Sequence, residues 1–420
     1  MDKGENYEVK DISLAEQGKM NLEIAESHMD ALLNIKARFE KEKPFEGIRI
    51  GLALHITKET GILVRTLAAG GADVAITGCN PLSTQDDIAA ALAEEGVKVW
   101  GYKGESNEDY YRYLKNVIET KPHITIDDGC DLVSEIHKNY KDLIPSLIGG
   151  CEETTTGIIR LKAMERDSAL KYPIIAVNDN KTKHLLDNYF GTGQSTIDGI
   201  IRASNVLFAG KNIVVAGYGD CGKGFAMRCK GMGANVIVTE VDNFCALQAA
   251  YEGFRVMKMQ DAAKIGDIFC TLTGNKHVIS IEHIKAMKDG AIVANSGHFD
   301  IEIDVKGMKE ASSSVRRVRP FLDEYVIDGK KVFLCGEGRL VNLAAAEGHP
   351  SEVMSTSFCG QAMACEYLVK NKGEMDNKVI QLPDEIDDMI AGLQLNAMDV
   401  DIDELTEEQI EYLNSWEEGT

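Results

Sequence analysis

Several classes of function are excluded by what the chain lacks. Among its 420 residues no run approaches the roughly 20 uninterrupted apolar residues of a membrane span. Its amino terminus, Met1-Asp2-Lys3-Gly4-Glu5, opens on acids and lacks a signal-peptide apolar core, so a cytoplasmic protein is expected. The ten cysteines form no Cys-x-x-Cys pair and no Cys/His spacing of a zinc site, which reads as reduced, mostly buried thiols and no metal centre. Base is short against acid, 45 Lys and Arg against 67 Asp and Glu. The resulting formal charge of −22 argues against nucleic acid or an anionic membrane as a partner. No solenoid-period repeat and no low-complexity tract interrupts the sequence.

What is present is a glycine fingerprint in mid-chain. An apolar strand, Val214-Val215-Ala216, runs straight into Gly217-Tyr218-Gly219-Asp220-Cys221-Gly222. Gly217 permits the tight turn, Gly219 lets the backbone approach a pyrophosphate, and Gly222 lets the next helix lie close to its strand. A second strand then ends at Glu240, a carboxylate placed to accept both hydroxyls of an adenosine ribose. The residues after it, Val241 to Phe244, bring no cation for a 2′-phosphate. NAD is therefore the expected cofactor.

The hydrophobic fraction of 44% is that of a globular protein, and this length implies about two or three domains. An amphipathic helix is expected near 12–41, followed by strands at 49–54, 73–77, 98–101, 123–126, 146–149 and 174–177, with helix-compatible stretches between them. A helix near 195–203 leads into a second unit with strands at 213–216, 235–239, 268–271, 291–295 and 331–334. From about Asn342 the chain turns helical through 358–369, then strongly acidic, and 399–411 reads as a solvated arm. The expected fold is α/β, with two doubly wound parallel-sheet domains and a short helical tail. Its parts would be a substrate domain of 1–183 and 345–385, an inserted Rossmann domain of 190–342, and an acidic tail of 386–420.

Open parallel sheets bind ligands outside the carboxyl ends of their strands. In the first unit those ends carry His55-Ile56-Thr57-Lys58-Glu59, Cys79-Asn80 with Ser83-Thr84-Gln85, Asp127-Asp128, Glu152-Glu153-Thr154-Thr155-Thr156 and Asn178 to Lys183. Singly, each has an ordinary explanation: His55 as a core histidine, Asp127 or Asp128 as a helix cap, and Lys183 with Asp187 as a surface pair. Together they put acid, base, hydroxyl clamp and lysine at one edge. Lys183, its proton affinity tuned by burial beside Asp187, would take a proton from an alcohol while NAD takes the hydride. His55 with Asp128 would be a second proton-transfer pair, and Glu153 a clamp for sugar hydroxyls. On the residues alone, this is an NAD-dependent enzyme acting on a hydroxylated metabolite.

Longer strings carry a resemblance. His55-Ile-Thr57, Cys79-Asn80 with Ser83-Thr84-Gln85-Asp86, Asp127-Asp128-Gly-x-Asp131, Glu152-Glu153-Thr-Thr-Thr-Gly157, Asn178-Asp179 with Lys183, Asp187 and Asn188, the fingerprint to Gly224, Gly297-His298-Phe-Asp300-x-Glu302-x-Asp304 and Glu337-Gly-Arg-Leu-Val-Asn342-Leu resemble the S-adenosylhomocysteine hydrolase family from about residue 10 to 370. The resemblance implies reversible hydrolysis of S-adenosyl-L-homocysteine to adenosine and L-homocysteine. Tightly held NAD would oxidise the ribose 3′-hydroxyl, homocysteine would leave from C5′, water would add, and the hydride would return. The same chemistry on S-inosyl-L-homocysteine is the alternative, and a simple NAD-dependent alcohol dehydrogenase a further one.

Carried over by position, the catalytic residues would be His55, Asp128, Lys183, Asp187 and Asn188. Thr57, Glu59, Glu153, His298, His349 and Met354 would join Asp128, Lys183 and Asp187 in binding substrate. NAD would meet Thr154, Thr155, Thr156, Asn188, Gly217, Gly219, Asp220, Cys221, Gly222, Glu240, Val241, Thr273, Gly274, Asn275, Ser296, Gly297, His298 and Asn342. Thr192 and Cys245 stand where many relatives carry a cysteine and an asparagine. The chain also ends at Ser415 to Thr420 without the lysine-and-tyrosine tail that longer members lend to a neighbour's cofactor. The family further implies a homotetramer.

Overall fold

The structure is a computed structural model that describes residues 1–417 and 419. Two sheets organise it. The first has nine strands in the spatial order Asp2–Lys3, Tyr7–Val9, Lys98–Trp100, Asp73–Thr77, Arg49–Ala53, Ile124–Asp127, Gly149–Glu152, Ile174–Ala176 and Val379–Ile380. All its pairings are parallel except the first. The second has eight, ordered Arg255–Val256, Asn235–Thr239, Asn212–Ala216, Ile268–Thr271, Ala291–Asn295, Lys330–Cys335, Leu322–Ile327 and Ser312–Arg319. Two of its central strands, Ile268–Thr271 and Ala291–Asn295, are buried along their whole length. That fits a parallel sheet covered on both faces, whose strands carry continuous rather than alternating apolar runs.

Several elements depart from the expected boundaries for local reasons. The amino-terminal helix is broken into a turn at Ile12–Leu14 and helices at Ala15–Glu26 and Asp30–Glu42. At the break the Ser27 hydroxyl donates to the Ile24 carbonyl, while Met29 turns fully into the core. The strand expected at 146–149 lies at Gly149–Glu152, preceded by a 3₁₀ turn at Lys141–Ser146 that contains Pro145. Gly149 and Gly150 are strand residues because their neighbours are close: a Cβ on the first would sit 2.5 Å from Leu368, and one on the second 2.4 Å from Thr125. The antiparallel strands Ser312–Arg319 and Leu322–Ile327 were not expected. The outer one is exposed and charged, held by cross-strand pairs of Arg316 with Glu324 and Arg317 with Asp323.

The 20-residue helix Ser351–Lys370 carries the chain back from the second sheet to the first, where it packs on Asp30–Glu42, Lys58–Ala69 and Gly149–Glu152. The helix after it, Asp384–Ala397, is no free acidic tail. Asp387 is buried and accepts from the backbone N–H groups of Lys181 (2.6 Å) and Thr182 (3.2 Å), supporting the turn that presents Lys183. Only beyond it does the stretch match a solvated arm, with Glu407–Leu413 exposed throughout. Glu418 and Thr420, at the end of the expected tail, lie outside the described residues.

Candidate active site

Each sheet reverses its strand order once in its parallel core, and the two reversals open on one cleft of about 790 Å³. In the first sheet the reversal lies between Arg49–Ala53 and Ile124–Asp127. The segments leaving those strands carry His55 and Asp128. In the second it lies between Asn212–Ala216 and Ile268–Thr271, which lead into Gly217 and Thr273. Crevices at such points, between two domains, are where α/β folds take their ligands.

At one end of the cleft Asp128 joins two histidines. His55 Nε2 lies 3.3 Å from one carboxylate oxygen and His298 Nδ1 3.3 Å from the other. One polar atom from each of these three side chains falls within 4.8 Å of the others. His55 Nδ1 is 2.7 Å from the Ser83 hydroxyl and 3.2 Å from Cys79 Sγ. Burial lowers the His55 imidazole to about 4 despite the attraction of Asp128, so the ring is neutral and able to accept a proton. His298 reaches this group from the other unit because Gly129 has no side chain. A Cβ there would stand 2.2 Å from His298 Nε2, and the glycine holds φ at +104°.

Deeper in the cleft, Lys183 sits in a cage. Its ammonium donates to Asn188 Oδ1 at 2.8 Å and lies 3.5 Å from Asp187 and 3.6 Å from Glu153. The helix runs at π pitch over His184–Gly191 and buries Asp187 and Asn188 beside it, the kind of local unwinding often found at functional sites. Burial alone would depress Lys183, but Asp187 and Glu153 outweigh it and hold the ammonium above the usual lysine range. This corrects the expectation of a lysine tuned by burial toward the free base. His349 Nδ1 in turn lies 2.7 Å from the Asp187 carboxylate; burial works to raise that carboxyl, yet Lys183 and His349 keep it well below the ordinary range. Glu153 accepts from Ser357 (2.7 Å) and Gln361, and burial pushes it up to about 7 against the pull of Lys183.

The cofactor end fits a dinucleotide. Gly217 adopts φ +101°, the space beside Gly219 is open for 4 Å where a Cβ would be, and a Cβ on Gly222 would meet the Gly217 carbonyl oxygen at 2.1 Å. These are the three jobs the fingerprint assigns. Glu240 lines the cleft with its carboxylate held by the N–H groups of Tyr218 (2.6 Å), Val241 (2.7 Å) and Asp242 (3.1 Å). Asn342 donates to Ser195, while its carbonyl oxygen is buried without a partner and waits for a donor. Thr154 to Thr156 come from the first unit, where Thr156 Oγ1 approaches Gly274 of the second. Both units therefore wall the cofactor end.

Every expected site residue lines the cleft except Gly222, whose role is helix packing. Thr57, Glu59, His349 and Met354 line the cleft together with the groups above. There the 2%-exposed Glu59 carboxylate accepts from Ser351 and has Lys58 at 3.4 Å. The Lys58 ammonium lies between that carboxylate and Glu347, 3.1 Å from the latter. Of the two departures, Thr192 lines the cleft, bonded to His349, with Cys221 Sγ at 3.6 Å, whereas Cys245 stays outside it. Sequence reasoning missed Lys258, Lys276 and Phe358, lining residues with no motif of their own. It also gave no role to Glu302. That buried carboxylate accepts from Thr273 N (3.0 Å), Thr273 Oγ1 (2.7 Å) and Gly274 N (2.7 Å), shaping a cofactor loop. Among the described residues, no helix is long and apolar enough to cross a membrane.

The chain is similar to known proteins along nearly its whole length. A family model described as S-adenosyl-L-homocysteine hydrolase matches residues 6–145, and one described as its NAD binding domain matches 188–348. The chain is 58% identical over 416 residues to an adenosylhomocysteinase of Sulfurisphaera tokodaii, covering 99% of this chain and 100% of that one. It is 56% identical over 414 residues to an S-inosyl-L-homocysteine hydrolase of Methanocaldococcus jannaschii, with the same coverage. An adenosylhomocysteinase of Aquifex aeolicus is 56% identical over 416 residues, again covering 99% and 100%.

Proposed function

The chain belongs to the S-adenosyl-L-homocysteine hydrolase family, and from that premise we propose that it reversibly hydrolyses S-adenosyl-L-homocysteine to adenosine and L-homocysteine. The observation that carries this reading is the presence of two separate proton-handling groups in one cleft with an NAD site. An alcohol dehydrogenase needs only the group around Lys183; the His55, Asp128 and His298 group has work only if a further bond is broken.

When bound, NAD supplies a reversible hydride acceptor for the ribose 3′ carbon. Lys183 faces the 3′ oxygen as an ammonium and polarises it, Asn188 fixes the ammonium, and Glu153, close to neutrality, takes up the hydroxyl proton and later returns it. Neutral His55, oriented by Asp128, accepts the C4′ proton and protonates the departing sulfur, with His298 closing the same group. Water then adds at C5′, so thioether and water become nucleoside and thiol. At the base end Glu59 accepts from the purine, and an exocyclic amino group suits that carboxylate directly. Hypoxanthine would offer N1–H instead, which keeps the inosyl substrate as the second reading, in line with the M. jannaschii relative.

In this reading residues 1–183 with 345–385 form the substrate domain and 190–342 the cofactor domain. The protein works in the cytoplasm as a homotetramer, without nucleic-acid or membrane partners. The exposed side chains of Phe244 and Tyr251, on one helix of the cofactor unit, support burial against another copy. The test is thiol release from the two nucleosyl homocysteines. Wild-type protein should release homocysteine, faster from the adenosyl substrate, and Lys183→Met should lose at least about 1,000-fold in kcat while keeping its NAD. No thiol from either substrate would remove the hydrolase assignment.

A further inference from the structure

Outside the residues that line the cleft, two carboxylic acids stand side by side at the ends of neighbouring strands of the first sheet. Asp127 ends one strand and Glu152 the next. They are direct partners in the parallel register, and both have no exposed surface. Burial, with each acid's charge working against the other, disfavours ionising both at once. Their hydrogen bonds distinguish them: both Asp127 oxygens accept from backbone N–H groups, of Asp128 (3.0 Å) and Val133 (2.9 Å). Glu152 uses only Oε1, which accepts from Gly129 (2.8 Å) and Thr154 (3.2 Å), while Oε2 is buried with no partner. The proton of the pair thus belongs on Glu152 Oε2. Burial, reinforced by Asp127, pushes the Glu152 carboxyl well up.

The two groups that Glu152 grips belong to the two halves of the reaction site. Gly129 N–H follows Asp128, which holds His55 and His298, and Thr154 opens the turn that walls the cofactor end. The same loop is clasped from the other side by Arg160, whose guanidinium donates to the Gly129 carbonyl, to Asp131 (2.7 Å) and to Ser134 (3.1 Å). Room for Glu152 depends on Gly157, where a Cβ would fall 2.1 Å from the carboxyl carbon. We propose that Glu152, paired across the sheet with Asp127, is a positioning residue that locks the Asp128–Gly129 loop to the Thr154–Thr156 turn. The proton-transfer group and the cofactor thereby keep one relative placement. The inference rests on the hydrolase reading above.

Glu152→Asp draws the carboxyl back by one methylene, and Glu152→Gln keeps both shape and neutrality. We expect Glu152→Asp to lower kcat for homocysteine release about 100-fold, as a misplacement of about 1 Å does, with KM little changed. Its NAD dissociation constant, titrated separately, should rise about ten-fold, the worth of one weakened hydrogen bond. Glu152→Gln should stay within about three-fold of wild type in both. A purely structural role would lower the melting temperature of both variants and leave kcat per folded molecule intact. Unchanged kcat and NAD affinity in Glu152→Asp, or equal damage from Gln, would overturn the proposal. If wild-type protein released no thiol, the hydrolase reading would fall, and the NAD titration would still decide whether Glu152 holds the Thr154 turn.

Discussion

At the scale of single residues, the cleft depends on groups whose proton affinities are moved by burial and by one another. His55 is the clearest case: its proton affinity falls from 6.5 to about 4 in the folded chain. Between those pH values the unfolded chain binds a proton that the folded one refuses, so stability from this group is lost as pH falls through the window. The ring keeps 15% of its side-chain surface, so the loss is about 1–2 kcal/mol rather than the full shift. Glu153, raised to about 7, acts in the opposite sense, gaining stability as pH falls from 7 toward 4.5. Thermal melts of wild type and His55→Gln at pH 6.5 and 4.5 isolate the first effect: the variant should lose less stability on acidification. Equal losses would mean that His55 is not buried in its neutral form. The residues of this cleft were legible because strand ends display them in short strings. Their charge states were not. Lys183 had looked like a burial-tuned base, and only the positions of Asp187 and Glu153 showed that two carboxylates override the burial.

At the scale of elements, the glycines of the fingerprint separate into two mechanical roles that substitution can tell apart. A Cβ on Gly222 would strike the Gly217 backbone, which cannot move cheaply, whereas one on Gly219 meets nothing within 4 Å. Gly222→Ala should therefore destabilise the NAD-free protein by about 1–3 kcal/mol and weaken NAD binding as well. Gly219→Ala should leave NAD-free stability unchanged and weaken NAD binding alone, because the methyl occupies space meant for the pyrophosphate. Denaturation and NAD titration on the two variants check this, and identical behaviour would refute the division. Parallel strands with continuous apolar runs, such as Asn235–Thr239 and Ala291–Asn295, were readable to the residue. Gly149–Glu152 was misplaced because its glycines look like a turn until the side chains crowding them are known. Ser312–Arg319 escaped because an exposed, charged edge strand carries no apolar alternation.

At the scale of the molecule, function comes from two sheets opening their strand-order reversals onto one space. Neither unit is complete alone: His298 crosses to Asp128, and Thr154 to Thr156 wall the cofactor end of the cleft. The fingerprint by itself names a dehydrogenase; its apposition to a second proton-transfer group turns the cofactor into a hydride store. That apposition could not be read from spacing, since His55 and His298 are far apart in sequence and meet only through the fold. The helix Asp384–Ala397 shows the same limit, an acidic stretch whose Asp387 is drawn inside to brace the Lys183 turn. The central claim is tested most directly by counting homocysteine thiols released per bound NAD while following NADH absorbance in solution. The account predicts many thiols per cofactor with no NADH accumulating. One NADH appearing for each substrate consumed, or no thiol at all, would contradict it.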